Sequence, residues 1–172
     1  MITYREALPS DYKEIALIHA ASWKKHYKGI LPDSCLDDKL ESDRLEIWKS
    51  RFAENNPNQN VILAEDEGQI IGFACTYLHH KSGHGSLLDN LHVLATHQGK
   101  SIGLTLMQKA FDWAKNYAPT ENLFLTVLSE NELAKGFYYK IGGTLEEEYM
   151  EEFPKGNSIL VQRISWNKRP TL

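Results

Sequence analysis

The chain has 172 residues and a net charge of −4 at pH 7, and this length closes one hydrophobic core, so we predict a single domain over residues 1–172. Its basic residues are scattered, which argues against nucleic-acid binding because a phosphate-binding surface needs dense lysine and arginine. Two cysteines far apart in sequence, a polar N-terminus and the lack of any apolar stretch of membrane-spanning length favour a cytoplasmic protein that does not enter a membrane.

The spacing of apolar residues predicts a mixed order of helices and strands. In the first helix Ile15, Ile18 and Ala21 fall on one face, and in a long later helix Ile102 and Leu106 begin an apolar stripe. The predicted elements are a strand over 2–6, a helix opened at 9–11, a helix over 43–53, strands over 61–65, 70–77 and 87–94, a helix over 102–117, a strand over 123–128, a helix over 132–141, and strands over 144–152 and 159–164 around a turn at 154–157. This order is typical of one α/β domain.

The segment between the strand over 87–94 and the long helix carries most of the chemical information. It contains Gln-Gly-Lys-Ser-Ile-Gly at 98–103, directly before the helix. The first amides of a helix have no intrahelical acceptor and carry the positive end of the helix dipole. A glycine next to them lets a phosphate approach the main chain closely. The segment therefore predicts an anion site, for which a diphosphate is the natural occupant.

Two common phosphate-binding motifs fail on this segment. Gly-Lys-Ser at 99–101 matches the end of a P-loop, but Leu94 stands where the first glycine of that motif is required. The glycines at 83 and 85 begin a dinucleotide fingerprint, but Leu88 takes the place of its third glycine and no helix follows.

A third motif, the acyl-CoA loop Q/R-x-x-G-x-G/A, fits better. Gln98 and Gly103 match its first and last fixed positions, while Ser101 replaces its middle glycine. Downstream, residues 131–142 match the pattern N-x-x-A-x-x-[FLY]-Y-x-K-x-G at every fixed position. With both signatures at this separation, the chain resembles the GNAT superfamily of N-acetyltransferases, and the resemblance covers most of its length.

The resemblance implies the GNAT acyl-CoA N-acyltransferase fold, an α/β architecture with a mostly antiparallel twisted sheet, splayed where the cofactor enters and flanked by helices. It also implies acetyl-CoA as co-substrate, no metal, and direct attack by a bound primary amine on the thioester. The acceptor, a small-molecule or peptide amine, is left open. Dimers are common among similar proteins, so a homodimer is compatible with the resemblance. The alternative is a non-catalytic domain that binds or senses acyl-CoA.

By resemblance, backbone groups around Leu91, His92 and Val93 would hold the pantetheine arm and polarise the thioester carbonyl, and Asn131 would cap the last helix and touch the cofactor. The amides that would hold the diphosphate belong to Gln98, Gly99, Lys100, Ser101, Ile102, Gly103 and Leu104. An ordinary strand-to-helix turn is the alternative for this loop. We expect Ser101 to be sterically comfortable near the helix N-terminus and its hydroxyl to be able to donate to phosphate.

The resemblance also supplies candidate catalytic residues. Tyr138 matches the general acid that protonates the departing thiolate, with Tyr139 as a rival and packing in the core as the alternative role. For the general base we favour Asp89, which strand alternation places on the same face as Leu91, although a solvated carboxylate at a strand end is equally compatible. By the same alternation His92 points to the opposite face and packs there.

Two further groups of side chains have competing interpretations. Trp23 and Tyr27 lie four residues apart on one helical face and, in this fold, would border the acceptor site, although core packing explains them equally well. The histidines at 79, 80 and 84 match no established metal-ligand spacing, so we predict a surface loop and no metal site there.

Overall fold

The computed structural model describes residues 1–37, 39–153 and 157–172. Its helices and strands, in chain order, are β1 (Ile2–Glu6), α1 (Tyr12–His26), α2 (Lys39–Ala53), β2 (Gln59–Asp66), β3 (Gln69–Tyr77), β4 (Ser86–Val93), α3 (Ile102–Tyr117), β5 (Leu123–Leu128), α4 (Glu132–Lys140), β6 (Thr144–Phe153) and β7 (Asn157–Trp166). The strands form one sheet in the order β1-β2-β3-β4-β5-β7-β6. Neighbouring strands are antiparallel except β4 and β5, which are parallel.

This architecture confirms the predicted fold class, and every predicted element overlaps an observed one. Helix α2 begins at Lys39, four residues before its predicted start at 43. The predicted turn at 154–157 falls mostly outside the described residues. Ala21 was predicted on the apolar face of α1 but is exposed, because the buried face includes His19 and Ala21 lies about 200° around the helix from it.

The sheet separates two hydrophobic cores. On one face α3 buries Leu106, Met107 and Phe111 against the sheet, and the partly buried side chains of α4 join the same core. On the other face α1 and α2 pack together, with Ile15 and Trp48 fully buried against β2 and β3. Helices therefore cover both faces of the sheet, and β4 lies between the two cores.

The parallel contact between β4 and β5 is short, and this opens the sheet. Only Ser86 and Leu87 pair with β5, opposite Leu123 and Phe124, whereas β5 pairs with β7 along its whole length. Beyond Leu87 the two strands separate, so the edge of β4 that faces β5 has no strand partner there. The splayed sheet implied by the resemblance is therefore present, and its opening positions the site described next.

Candidate active site

A cavity of about 580 Å³ lies where β4 and β5 separate. Two walls can be distinguished. The α3 side consists of residues 98, 99 and 101–104 with Asn131 and Tyr138. The α1–α2 side consists of side chains from both helices and from the adjoining face of β4. The predicted site residues that line the cavity are Trp23, Tyr27, Asp89, Leu91, His92, Val93, Gln98, Gly99, Ser101, Ile102, Gly103, Leu104, Asn131 and Tyr138. Lys100 was predicted with them but does not contribute to the lining.

The α3 side presents unpaired backbone amides to the cavity. The first intrahelical hydrogen bond runs from the Thr105 amide to the Ser101 carbonyl, at 3.0 Å. Within the described chain the amides of Ile102, Gly103 and Leu104 therefore have no acceptor, as expected for the first turn of a helix. The side-chain amide of Gln98 donates to the Val93 carbonyl at 3.1 Å and braces the loop against the end of β4. This wall has the donor geometry and the dipole direction of an anion site.

Ser101 corrects one expectation from the sequence. Its φ of +59° lies in the left-handed region, where a side chain costs roughly 1–2 kcal/mol and glycine is preferred. Its hydroxyl makes no capping hydrogen bond that would offset this cost. The serine is therefore strained rather than comfortable, and the geometry explains why the related loops have glycine at this position.

Tyr138 lies on α4 with its ring edge-on to Trp166, at 5.9 Å between ring centroids. Its hydroxyl has no hydrogen-bond partner among the described residues, and burial, together with the nearby Tyr27, raises its pKa above the ordinary value. The neighbouring Tyr139 differs: its hydroxyl donates to Gln162 at 2.7 Å, and it does not line the cavity. The geometry therefore favours Tyr138 over Tyr139 as the phenol that faces a bound ligand.

Asn131 caps α4, since its side-chain oxygen accepts from the Ala134 amide at 3.2 Å. The same residue lines the cavity. A capping role is thus established by geometry, and the amide nitrogen of the side chain is left for other partners.

The position of Asp89 corrects a second expectation. A bulge in β4 places Asn90 opposite Cys75 and Leu88 opposite Thr76, so Asp89 has no partner across the strand pair. Strict alternation is broken, and Leu91 packs in the α3 core while the Asp89 carboxylate pairs with Arg51 of α2 at 2.9 Å. Asp89 therefore belongs to the α1–α2 side, not to the face of Leu91.

Two uncharged histidines form part of the α1–α2 side. His92 stacks on His19 at 5.0 Å between ring centroids, and its Nδ1 lies 2.8 Å from the Ser22 hydroxyl. His19 is 3% exposed, and its Nδ1 accepts from the Trp48 indole at 3.1 Å. Burial lowers the pKa of His19 to about 2 and that of His92 to about 3. Both rings are therefore neutral at pH 7 and add no charge to this wall.

The aromatic pair predicted to border the acceptor lies on the same side. The rings of Trp23 and Tyr27 meet edge-to-face at 4.9 Å between centroids. The Arg44 guanidinium lies 4.5 Å from the centroid of the Trp23 ring. The sequence analysis missed both Arg44 and Arg51, although their spacing of seven residues, two helical turns, would have placed them on one face of α2.

A second cavity, of about 410 Å³, lies beside the loop histidines His79, His80 and His84. In the described part of the chain no group of three or more His, Cys, Asp or Glu side chains could hold a metal ion. The loop histidine His79 instead contacts Glu121, with 2.6 Å between Nδ1 and Oε1. None of the helices in the described residues has the length and apolar character needed to cross a membrane.

The model of the Acetyltransferase (GNAT) family matches residues 20–143. The chain belongs to this family. This GNAT chain is 28% identical over 134 residues to an uncharacterized N-acetyltransferase, YuaI, of Bacillus subtilis, a match that covers 76% of the chain and 74% of the relative. Membership confirms what the two signatures indicated: the chain is an acyltransferase with acetyl-CoA as its co-substrate.

Solved structures agree on the fold of this GNAT chain. The PaiA N-acetyltransferase from Thermoplasma acidophilum, crystallised with coenzyme A, has a TM-score of 0.76 at 20% identity, covering 96% of this chain and 99% of that one. YncA from Salmonella typhimurium, solved with acetyl-CoA, has a TM-score of 0.68 at 19% identity, covering 96% and 92%. At these identities the likeness shows the shared fold alone.

Proposed function

We propose that this protein transfers the acetyl group of acetyl-CoA to a primary amine, which attacks the thioester directly. The observation that carries the proposal is one cavity with two unlike walls: free helix amides and the unpartnered Tyr138 hydroxyl on the α3 side, and a charged aromatic wall opposite. An anionic cofactor suits the first wall, and an acceptor suits the second.

In this proposal the backbone holds the cofactor. The amides of the loop over 98–104 donate to the diphosphate, as their position at the N-terminus of α3 favours. The unpaired edge of β4 around Leu91, His92 and Val93 runs beside the pantetheine arm and supplies backbone hydrogen bonds. The side chain of Asn131 touches the cofactor with the nitrogen that its capping bond leaves free.

The chemistry then requires the acceptor nitrogen to lose two protons in all and the departing thiolate to gain one. The amine nitrogen attacks the thioester carbonyl carbon, the new C–N bond forms, and collapse of the tetrahedral intermediate breaks the C–S bond. Tyr138, which its raised pKa keeps protonated at neutral pH, gives its proton to the departing thiolate, and the second proton lost by the nitrogen after the C–N bond has formed restores the phenol. Asp89 takes the proton of the attacking ammonium, directly or through a water, with the carboxylate oxygen that its pairing with Arg51 leaves free.

A non-catalytic acyl-CoA sensor is the second candidate. The Tyr138 hydroxyl favours catalysis, because it lines the cavity without a partner among the described residues and is therefore available to give a proton to a bound ligand. We also propose a cytoplasmic protein that binds neither nucleic acid nor membrane. Its two cysteines, Cys35 and Cys75, are free thiols, which is typical of a reducing compartment such as the cytoplasm. A homodimer remains part of the proposal and is tested by light scattering.

Two measurements test this function in sequence. Isothermal titration should give micromolar binding of acetyl-CoA and no comparable binding of ATP or NAD. A panel of amines, with free thiol and acetylated product as readouts, should then contain at least one acceptor. Absence of acetyl-CoA binding would contradict the cofactor site, and binding without turnover on any amine would favour the sensor.

A further inference from the structure

Arg44 is a cation on the α1–α2 side of the cavity that forms no ion pair with the described residues. It is half-buried and lines the cavity. Its Nε is buried without a hydrogen-bond partner, and no carboxylate among the described residues forms an ion pair with it. A buried N–H without an acceptor is costly, and the two terminal nitrogens of the same guanidinium are not among the buried atoms that lack a partner. Such a group at a cavity wall is suited to an anion that arrives with a ligand.

The neighbouring Arg51, in contrast to Arg44, has both an ion pair and a hydrogen bond within this wall. Its guanidinium pairs with Asp89 at 2.9 Å and donates to the side-chain oxygen of Asn90 at 3.0 Å. Asp89 is thus largely committed to Arg51, although it also interacts electrostatically with Arg44, so the two lie near each other.

The charges of this wall do not balance. Among the side chains that line it, Arg44 and Arg51 contribute two positive charges and Asp89 contributes one negative charge, while burial lowers the pKa of the histidines, His19, His26 and His92. Asp43 also acts electrostatically on Arg44 but lies outside the lining. The surplus is one positive charge. A polyamine or an aminoglycoside would add further positive charge here, whereas an acceptor with its own carboxylate would supply the anionic partner that Arg44 lacks.

We propose that the acceptor is an amino acid, whose carboxylate binds Arg44 while its amino group faces Asp89 and the thioester. This inference rests on the proposed acetyl transfer and adds the substrate class to it. The zwitterion matches the wall, since its two opposite charges meet Arg44 and Asp89. The ammonium loses one proton to Asp89 and the C–N bond forms. The nitrogen then loses a second proton as the C–S bond breaks, Tyr138 protonates the thiolate, and the second proton restores the Tyr138 phenol. The products are an N-acetyl amino acid, free CoA thiol and one released proton.

The setting of Arg44 suits carboxylate recognition in particular. The guanidinium lies 4.5 Å from the Trp23 ring centroid, which holds the plane of the fork in place. A planar fork fixed in this way can donate two parallel hydrogen bonds to one carboxylate, which an ammonium cannot. The rings of Trp23 and Tyr27 beside it provide an apolar surface for the side chain of the amino acid.

The test measures kcat/KM from the release of free thiol. Each of several amino acids is compared with its own carboxamide and with putrescine, a diamine that has no carboxylate. We expect the acid to be preferred over the amide by about 10- to 100-fold, the value of a charge-assisted hydrogen bond. In Arg44→Gln the KM for the acid should rise and the preference should disappear. Arg44→Lys should restore part of it, because the charge remains without the fork. The control Arg169→Gln, which removes a surface pair with Asp112, should keep the preference.

Equal rates with acids and amides, a preference for putrescine, acetylation of no amino acid, or a preference that survives Arg44→Gln would each overturn the proposal. Those outcomes leave the proposed function intact if acetyl-CoA binds and some amine is acetylated. If Arg44→Gln loses acetyl-CoA binding and is therefore misfolded, the ratio of acid to amide in the unaltered protein still decides.

Discussion

The two walls of the cavity are built in different ways. The α3 side offers backbone amides from one continuous segment, the loop over 98–104, and positions them by the start of a helix. The α1–α2 side offers side chains from α1, α2 and a bulge in β4, which are far apart in sequence. A cofactor that never changes can be held by main chain, whereas an acceptor has to be selected by side chains. Substitutions on the α3 side should therefore weaken cofactor binding, whereas substitutions on the α1–α2 side should impair the reaction with the acceptor.

The largest effect is expected where the walls meet, at Tyr138. Tyr138→Phe removes the proton donor and should lower kcat by about 10³-fold, within the usual range for a general acid. The affinity for acetyl-CoA should be unchanged in a titration. Tyr139→Phe is the matched control, since its hydroxyl is bound to Gln162 outside the cavity. If kcat of Tyr138→Phe equals that of the unaltered protein, Tyr138 is not the acid.

On the α1–α2 side, Asp89→Asn keeps the shape of the side chain but cannot accept a proton. We expect kcat/KM to fall by about 10²-fold at pH 7. The defect should shrink as the pH approaches the amine's own pKa, near ~10 for a lysine-like amine, because the amine then arrives deprotonated. The pH profile of kcat/KM checks this.

The control for Asp89→Asn is Asp112→Asn, which removes a surface ion pair with Arg169 and should leave the profile unchanged. A defect in Asp89→Asn that stays constant with pH would exclude Asp89 as the base. His92, whose Nε2 has no partner among the described residues and which lines the same wall, would then be the next candidate.

A substitution on the α3 side should weaken the binding of acetyl-CoA more than it lowers kcat. A Cβ at Gly103 would meet Phe137 at 3.5 Å and Val93 at 3.9 Å, which are ordinary contacts, so the fold accepts one. The rest of a leucine side chain would occupy the cavity. Gly103→Leu should therefore raise the Kd for acetyl-CoA about tenfold or more, a loss of ~1.4 kcal/mol. Gly103→Ala should lose much less, and equal Kd values for Gly103→Leu and the unaltered protein would contradict the loop assignment.

The difference between the walls also explains how much could be predicted from the sequence. The position of the loop at a helix N-terminus and the capping role of Asn131 could be predicted because each leaves a local pattern in consecutive residues. The elements were found for the same reason, from periodicity alone. Asp89 was placed on the wrong face because a bulge is a property of two paired strands, and β4 alone does not reveal it. Arg44 was missed because its lack of a partner is visible only in three dimensions.

The smallest effect is expected at Ser101 and concerns stability. Ser101→Gly relieves a left-handed conformation, so the free energy of unfolding should rise by up to about 1 kcal/mol. Thermal unfolding measures this as a higher Tm, and binding of acetyl-CoA should be equal or tighter. Ser50→Gly, within α2, should have the opposite sign, since glycine in a helix interior destabilises. A lower Tm for Ser101→Gly would refute the strain at this loop.

The most direct test of acetyl transfer follows free thiol and acetylated amine together, with acetyl-CoA and a panel of amines. Equal amounts of thiol and acetylated product, with both abolished when the amine is omitted, are the predicted result. Thiol release without an acetylated amine, or no release with any amine despite bound acetyl-CoA, would contradict it.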